Sequence, residues 1–329
     1  MRDSYLVTGG GGLLGHHIVD QLLARGEISV AVFDIAPGKQ DSRTRVFAGD
    51  ISDRQALEDA VKACGATCII HTVSVLPGPP RNVQMKVNIG GTENVLSVAK
   101  ALSVPKLVYT SSASVVFDGK DQAGVDESLP YPERPFDDYN ETKTIAEKAV
   151  LSANGHPRDR LAVPSIMGLI EAKRTGMQIG DNSNLFDWTY IENAAHAHLL
   201  AADRLSLDHP KYAQVAGEAF FITNGEPRPY WDFPRALWKV AGHTPTKITV
   251  LSRPVAMILA AIMEFIGWIT GKPSTLTRFR VTYLCTTRYF NIEKARRALD
   301  YEPIVALDEG IKRSAEYWIE AQKAHADHA

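Results

Sequence analysis

The stretch Thr8-Gly9-Gly10-Gly11-Gly12-Leu13-Leu14-Gly15 decides the fold. It stands between a short apolar run, Tyr5–Val7, and a helical pattern, Leu13–Arg25, and it fits TGxxGxxG with Gly9, Gly12 and Gly15 as the spaced glycines. In a strand–turn–helix that holds a dinucleotide, each of these glycines has a task. Gly9 permits the tight turn. Gly12 lets backbone approach a pyrophosphate at the helix N-terminus, where Leu13 and Leu14 begin the helix, and Gly15 lets helix and sheet lie close together. A glycine pattern alone is weak; its place between the first strand and the first helix gives it weight.

Outward from the loop, short apolar runs alternate with helical patterns. Strands are expected at Ser29–Asp34, Cys68–Val73 and Leu107–Ser111, and helices at Arg54–Lys62 and Asn88–Leu102. Strands separated by helices imply βαβ units with right-handed crossovers, hence an α/β fold with a Rossmann-type, doubly wound parallel sheet. Pro130, Pro132 and Pro135 mark 124–136 as a loop. Helices are expected at Tyr139–Ala153, Asn193–Asp203, Trp231–Ala241, Ile292–Leu299 and Leu307–Gln322, with a short strand at Phe220–Ile222 and a turn at Asn224–Gly225. The division is a nucleotide-binding core over 1–160 and a smaller, mostly helical C-terminal substrate lobe over 161–329, interleaved with the core and joined to it without a linker.

The composition fits an enzyme of this kind. The 329 residues are 45% hydrophobic and 22% charged with a formal charge of −2, which supplies a sizeable core and argues against nucleic-acid binding by bulk phosphate attraction. Cys64, Cys68 and Cys285 form no disulfide framework and fit a reducing compartment. A strand and a glycine loop almost at Met1 leave no room for a signal peptide, and no uninterrupted apolar run is expected to reach spanning length.

Asp34 ends the second strand, where a carboxylate can accept hydrogen bonds from an adenosine ribose and repel a 2′-phosphate, which favours NAD over NADP. Lys39 and Arg43 nearby are the basic residues that would serve NADP. Asp50 and Ile51, after another short extended run, are positioned to border the adenine. Tyr139 and Lys143, four apart at the start of a helix, share a face. A free phenol titrates at about 10, too high for a base at neutral pH, and a nearby ammonium favours the ionised oxygen. Thr110-Ser111-Ser112-Ala113-Ser114 follows a buried strand of the same sheet, so a serine hydroxyl there can meet a substrate oxygen beside Tyr139. Ser112 is the choice, with Ser111 and Ser114 as alternatives. Together these groups suit removal of a proton from an alcohol while hydride leaves to a nicotinamide.

The chain resembles the extended short-chain dehydrogenases/reductases, and within them the 3β-hydroxysteroid dehydrogenase family, in its branch acting on 4α-carboxysterols. The resemblance rests on TGGGGLLGHHIV (Thr8–Val19), HTVS (His71–Ser74), NIGGTENV (Asn88–Val95), YTSSASVVF (Tyr109–Phe117), YNETKTIAEKAV (Tyr139–Val150) and IGDNSNLFDWTYIENAAHAHLLAA (Ile179–Ala202). The last block is the most specific to the sterol branch. The resemblance implies that Tyr139 is the base, that Lys143 holds the nicotinamide ribose and tunes Tyr139, and that Ser112 orients the substrate hydroxyl. It also implies that Thr72, Val73 and Ser74 border the NAD and that Asn88 lies close to the catalytic helix. The implied reaction oxidises the C3 hydroxyl of a 4α-carboxysterol with NAD to a β-keto acid, which loses carbon dioxide without a metal. Implied partners are a sterol methyl oxidase and a 3-keto reductase in a C-4 demethylation complex at the endoplasmic reticulum, with a homodimer as a further expectation. Alternatives on the same residues are a plain 3β-hydroxysteroid dehydrogenase and a nucleotide-sugar epimerase. A nucleotide-sensing regulator is the non-enzyme reading, against which Ser112, Tyr139 and Lys143 speak.

Two regions stand apart. Arg160–Gly176 reads RLAVPSIMGLIEAKRTG where relatives carry an Arg-Pro-x-x-x-Phe/Tyr-Gly-Pro segment and a longer loop. The run Val255–Thr270, VAMILAAIMEFIGWIT, holds one charge, Glu264. It is open to three readings: a buried helix of the small lobe, a wall of a sterol cavity, or a helix lying in a membrane interface, with Lys272, Arg278 and Arg280 able to meet anionic headgroups. Peripheral attachment is preferred because sterols reside in membranes. His16 and His17 read as packing or surface residues, and His196 and His198, two apart, do not share a helix face and suggest no metal site. Trp188 and Tyr190 are candidates to border the substrate.

Overall fold

A computed structural model of the chain describes residues 2–153, 175–271 and 274–326. The expected departure at Arg160–Gly176 falls almost wholly on residues outside this range, as do the division at 160/161 and Lys272. The first half runs β1 (Tyr5–Thr8), α1 (Leu13–Ala24), β2 (Val30–Asp34), β3 (Thr44–Ala48), α2 (Arg54–Cys64) and β4 (Cys68–His71). It continues through α3 (Arg81–Gln84), a π-helical segment Met85–Gly91, α4 (Thr92–Ala101), β5 (Lys106–Tyr109), a 3₁₀ turn Ala113–Val116, β6 (Gln122–Val125) and α5 (Asp138–Ser152).

Five strands form an all-parallel sheet in the order β3-β2-β1-β4-β5, with Tyr5 in register with Val30 on one side and Cys68 on the other. Alternation along each strand divides the core in two. Val7, Val32, Ile70 and Val108 face Leu14, Ile18 and Leu22 of α1, together with Ala194 and Leu199 from the second half. Leu6, Phe33 and Ile69 face Leu57 and Val61 of α2 and Val95 and Val98 of α4. Both faces are covered, as a parallel sheet requires, and β1 lies in the middle with the glycine loop at its C-terminal end.

The second half comprises β7 (Met177–Ile179), β8 (Leu185–Phe186), α6 (Ile191–Arg204), α7 (Tyr212–Val215), β9 (Arg228–Pro229) and α8 (Asp232–Val240). After these come β10 (Thr249–Leu251), α9 (Arg253–Thr270), α10 (Arg278–Cys285), β11 (Arg288–Phe290), α11 (Glu293–Leu299) and α12 (Leu307–Ala326). Short strands assemble into β6-β11-β8-β9 and β10-β7, so this part holds more sheet than its sequence suggests. Its own core gathers Trp188, Trp231, Phe233, Trp238 and Ile311.

Phe220–Ile222, expected as a strand, is not paired into a ladder among the described residues. Side chains take its backbone groups instead: Phe221 N–H donates to Glu127 (2.6 Å), and the Ile222 carbonyl accepts from Thr189 Oγ1 (2.9 Å). The apolar run forms α9, 18 residues long, and it is long and apolar enough to cross a membrane by length and composition, contrary to the expectation that no run reaches spanning length. Only Ala256 and Ala260 are buried, against Val281 of α10, while Ile258, Phe265, Trp268 and Ile269 are 59–79% exposed. That overturns the buried-helix reading. No residue of α9 borders the cavity described below, which removes the cavity-wall reading.

Candidate active site

The glycine loop is shaped by close approach. Gly9 has φ +83°, and a Cβ there would lie 2.6 Å from Thr72 Oγ1. A Cβ on Gly15 would overlap the Gly9 carbonyl oxygen. Gly12 is the N-cap of α1, and no side chain caps that helix, so its first N–H groups point at the crevice unclaimed by a side-chain acceptor. Asp34 stands beside the loop, its Oδ2 accepting from Gly11 N–H (3.0 Å) and its Oδ1 from Ala36 N–H (2.8 Å). A backbone cradle that admits no Cβ, a bare helix N-terminus and a fixed strand-end carboxylate together fit a dinucleotide. Asp50 accepts from Ser52 N–H, which holds its carboxyl below the usual range, and lies 3.5 Å from Lys86. Ile51 is buried, where a Cβ on Gly91 would meet its side chain at 2.7 Å.

The segment after β4 is tied to the helix carrying the expected base. Thr72 Oγ1 donates to the Thr8 carbonyl (2.9 Å), and Val73 N–H lies against Gly9. Asn88, in the π-helical segment, accepts from Val75 N–H (2.7 Å) and from Ser74 (3.4 Å), and donates to the Val75 carbonyl (3.2 Å) and to Thr142 Oγ1 (3.1 Å). Thr142 in turn donates to the Tyr139 carbonyl (3.1 Å). Asn88 is thus joined to α5, the helix that carries Tyr139 and Lys143, close to where the resemblance implied it would lie. His71, fully buried, contacts Thr8 Oγ1 (2.7 Å) and Thr92 Oγ1 (3.2 Å), and burial followed by the Lys143 charge pushes its pKa down to about 3, so it serves as a neutral bridge.

A cavity of about 470 Å³ runs from the glycine loop into the second half of the chain. Gly9, Gly12, Leu13, Leu14, Gly15, Thr72 and Ser74 line one end, and Thr110, Ser111, Ser114 and Tyr139 stand along its wall. Lys143 is buried behind that wall. Its Nζ donates to Tyr109 Oη (2.7 Å) and the Thr110 carbonyl (2.8 Å), so the amine reaches the end of β5 as well as sharing a helix face with Tyr139. Ser112 is also one layer back, with its Oγ 2.8 Å from Ser114 Oγ. Ser111 and Ser114, the two alternatives, face the cavity. Thr110 is held by His198 Nε2 (2.7 Å), whose Nδ1 meets the Ala194 carbonyl (2.8 Å), which accounts for both ring nitrogens.

The rest of the lining is largely aromatic, with Phe117, Phe186, Trp188, Phe221, Phe233, Phe279, Tyr283 and Phe290, and the charged groups on the cavity are Asp137, Asp187 and Arg288. Trp188 borders the cavity as expected. Tyr190 does not; it packs in the core with its hydroxyl on Glu192 (3.0 Å). Sequence reasoning missed Asp187, Arg288 and most of these rings. The available signal was Arg288 itself, a lone cation in an apolar and hydroxylic run, TTRYF. Among the described residues there is no group of three His, Cys, Asp or Glu able to hold a metal ion.

Solved structures of similar fold include a dTDP-glucose 4,6-dehydratase from Bacillus anthracis in complex with NAD, with TM-score 0.72, 17% identity and 98% of both chains covered. Another is a UDP-glucose 4-epimerase from Thermotoga maritima, with TM-score 0.72, 17% identity, and 97% and 99% covered. Among curated proteins, the decarboxylating sterol-4-alpha-carboxylate 3-dehydrogenase of Schizosaccharomyces pombe is 41% identical, covering 98% of this chain and 99% of that protein. The Homo sapiens protein of the same name is 38% identical, covering 94% and 87%. Residues 6–253 match the model of the 3-beta hydroxysteroid dehydrogenase/isomerase family, and on that match and these identities the chain belongs to this family.

Proposed function

We propose that this chain is an NAD-dependent sterol-4α-carboxylate 3-dehydrogenase that decarboxylates its product. The observation that carries the reading is 41% identity over 98% of the chain to a protein of that name, with Tyr139 and the serines on one cavity wall and Lys143 behind it. Bound NAD supplies the acceptor for the C3 hydride. Tyr139 Oη takes the C3 hydroxyl proton, and the Ser112–Ser114 hydroxyl pair orients that oxygen. Lys143, whose Nζ donates to Tyr109 Oη and the Thr110 carbonyl, is the group that the family resemblance assigns to the nicotinamide ribose and to tuning Tyr139. The resulting ketone stands next to the C4 carboxylate. The C4–carboxyl bond breaks, carbon dioxide leaves, and the bonding pair moves to the C3 oxygen as an enolate. Tyr139, protonated by the first step, hydrogen-bonds that oxygen while C4 takes a proton from water, and the hydroxide left behind takes the Tyr139 proton, so water and the phenolate are both restored.

The test uses purified protein, NAD and a 4α-carboxysterol, measuring NADH and carbon dioxide together. Equal amounts are expected. NADH from simple 3β-hydroxysteroids alone, without carbon dioxide, assigns a plain dehydrogenase instead. We further propose peripheral attachment to the cytosolic face of the endoplasmic reticulum through α9. That helix is docked along one side by Ala256, Ala260 and the Glu264–Arg278 ion pair (2.7 Å), which favours lying in an interface over spanning. Membership of a sterol C-4 demethylation complex and a homodimeric state belong to the same proposal.

A further inference from the structure

Among the described residues, the cavity contains a cation whose charge is left uncompensated. Arg288 is 1% exposed and borders the cavity, yet no acidic side chain pairs with it among the described residues. Its Nε is buried without a hydrogen-bond partner, and its Nη2 reaches only the Tyr283 carbonyl at 3.4 Å. Of the two carboxylates that line the cavity, Asp187 accepts from Thr223 Oγ1 (2.7 Å) and Glu226 N–H (3.3 Å), and Asp137 accepts from Asn140 N–H (2.7 Å). The guanidinium is held by rings: its Cζ lies 3.4 Å from the Tyr283 centroid, 4.7 Å from Phe186 and 4.9 Å from Phe117.

Such contacts hold a planar cation in place without supplying a counter-charge. Burial of an unpaired charge is costly. A guanidinium also keeps its proton under any condition an enzyme meets, so it cannot relieve the cost by neutralising. An anion entering the cavity relieves it, and the fork geometry selects a planar carboxylate.

We propose that Arg288 is the specificity-determining anchor for the carboxylate of the substrate. This inference rests on the proposed function, since it names the residue that distinguishes a 4α-carboxysterol from a sterol without the acid. The aromatic collar also forms an apolar wall for the ring system, so one group of side chains serves both the flat hydrocarbon and its charged substituent. Arg288 enters neither proton transfer nor hydride transfer. It acts on binding, which sets the form of its signature.

The experiment measures NADH formation by the full chain with a 4α-carboxysterol and with the matching 3β-hydroxysterol lacking the carboxylate, for wild type, R288M and R288Q. The expected result is a KM for the carboxysterol raised at least tenfold in both variants, with KM for the neutral sterol and for NAD within about twofold of wild type. Equal losses on both sterols, or no loss on the carboxysterol, overturn the assignment and leave Arg288 as packing. Should both variants fail to fold by thermal melting, wild-type competition decides. A 4α-carboxamide sterol must bind at least tenfold more weakly than the acid, and equal inhibition overturns the proposal. Wild type inactive on the carboxysterol refutes the proposed function itself, which is a separate outcome.

Discussion

At the residue scale, the proposed chemistry hangs on one phenol. Tyr139 stands on the cavity wall that carries Ser111 and Ser114, and the glycine loop closes one end of the same cavity. Positioned acid–base groups contribute about 10²–10⁴-fold to rate. Y139F is therefore expected to lower kcat by at least a hundredfold, while the NAD dissociation constant, measured by fluorescence titration, stays within about twofold. Full activity in that variant assigns the base elsewhere. Asp187 carries a different prediction. Burial raises its carboxyl to about 6 from 3.8, against the opposing hydrogen bond from Thr223. The folded state thus holds a proton that the unfolded chain has already lost between pH 4 and 6. The contribution of Asp187 to stability falls as pH rises through that window, and the full penalty, on the order of 2–3 kcal/mol, persists above it. D187N keeps an acceptor for Glu226 N–H and removes the charge. Its unfolding free energy by urea titration should exceed that of wild type at pH 8, and the difference between the two proteins should shrink as pH falls from 6 to 4.

At the element scale, the helical run before β5 shows what the sequence held and what it hid. Its existence was legible from Asn88–Leu102, but the π-helical opening at Met85–Gly91 was not, because apolar spacing does not separate a wide turn from an ordinary one over seven residues. The wide turn matters because it carries Asn88, which joins the β4 end to Thr142 of α5 through four hydrogen bonds. Removing that amide strands Val75 N–H and its carbonyl, each costing about 1–3 kcal/mol when buried. N88A is expected to lose about 2–3 kcal/mol of stability by denaturant titration. It should also lower kcat, because Thr142 holds the Tyr139 backbone. Elsewhere the reading succeeded where periodicity is strong: β1, β2, β4 and β5 carry buried residues on both faces and sit between glycine or helix signals. It failed at Phe220–Ile222, where an apolar run buried on all sides is indistinguishable from a strand until its backbone partners are known. The glycine-loop end of the site was legible because its chemistry is local in sequence. The substrate end was not, since Phe117, Asp187, Tyr283 and Arg288 meet only through the folded second half.

For the whole molecule, the arrangement of α9 and α10 would join the proposed membrane contact to the site. Alpha10 places Phe279 and Tyr283 on the cavity and Val281 against Ala256 and Ala260 of α9, while the outer face of α9 carries Ile258, Ile262, Phe265 and Ile269 at three- and four-residue spacing. A sterol held in a bilayer under that face would therefore lie one helix away from the aromatic collar. A fully buried side chain of this size contributes about 1.5–3 kcal/mol, and partial immersion returns less, so replacing three should weaken membrane partition by about 3 kcal/mol, or roughly a hundredfold. The variant I258S/F265S/I269S leaves Ala256, Ala260 and the Glu264–Arg278 pair in place, so the helix remains docked. In liposome flotation wild type should rise with vesicles and the variant should stay in the dense fraction, while both turn over detergent-dispersed sterol at similar rates. Equal flotation of the two proteins removes α9 as the membrane contact. Unequal activity on dispersed sterol would instead show that its outer face serves the fold rather than the bilayer.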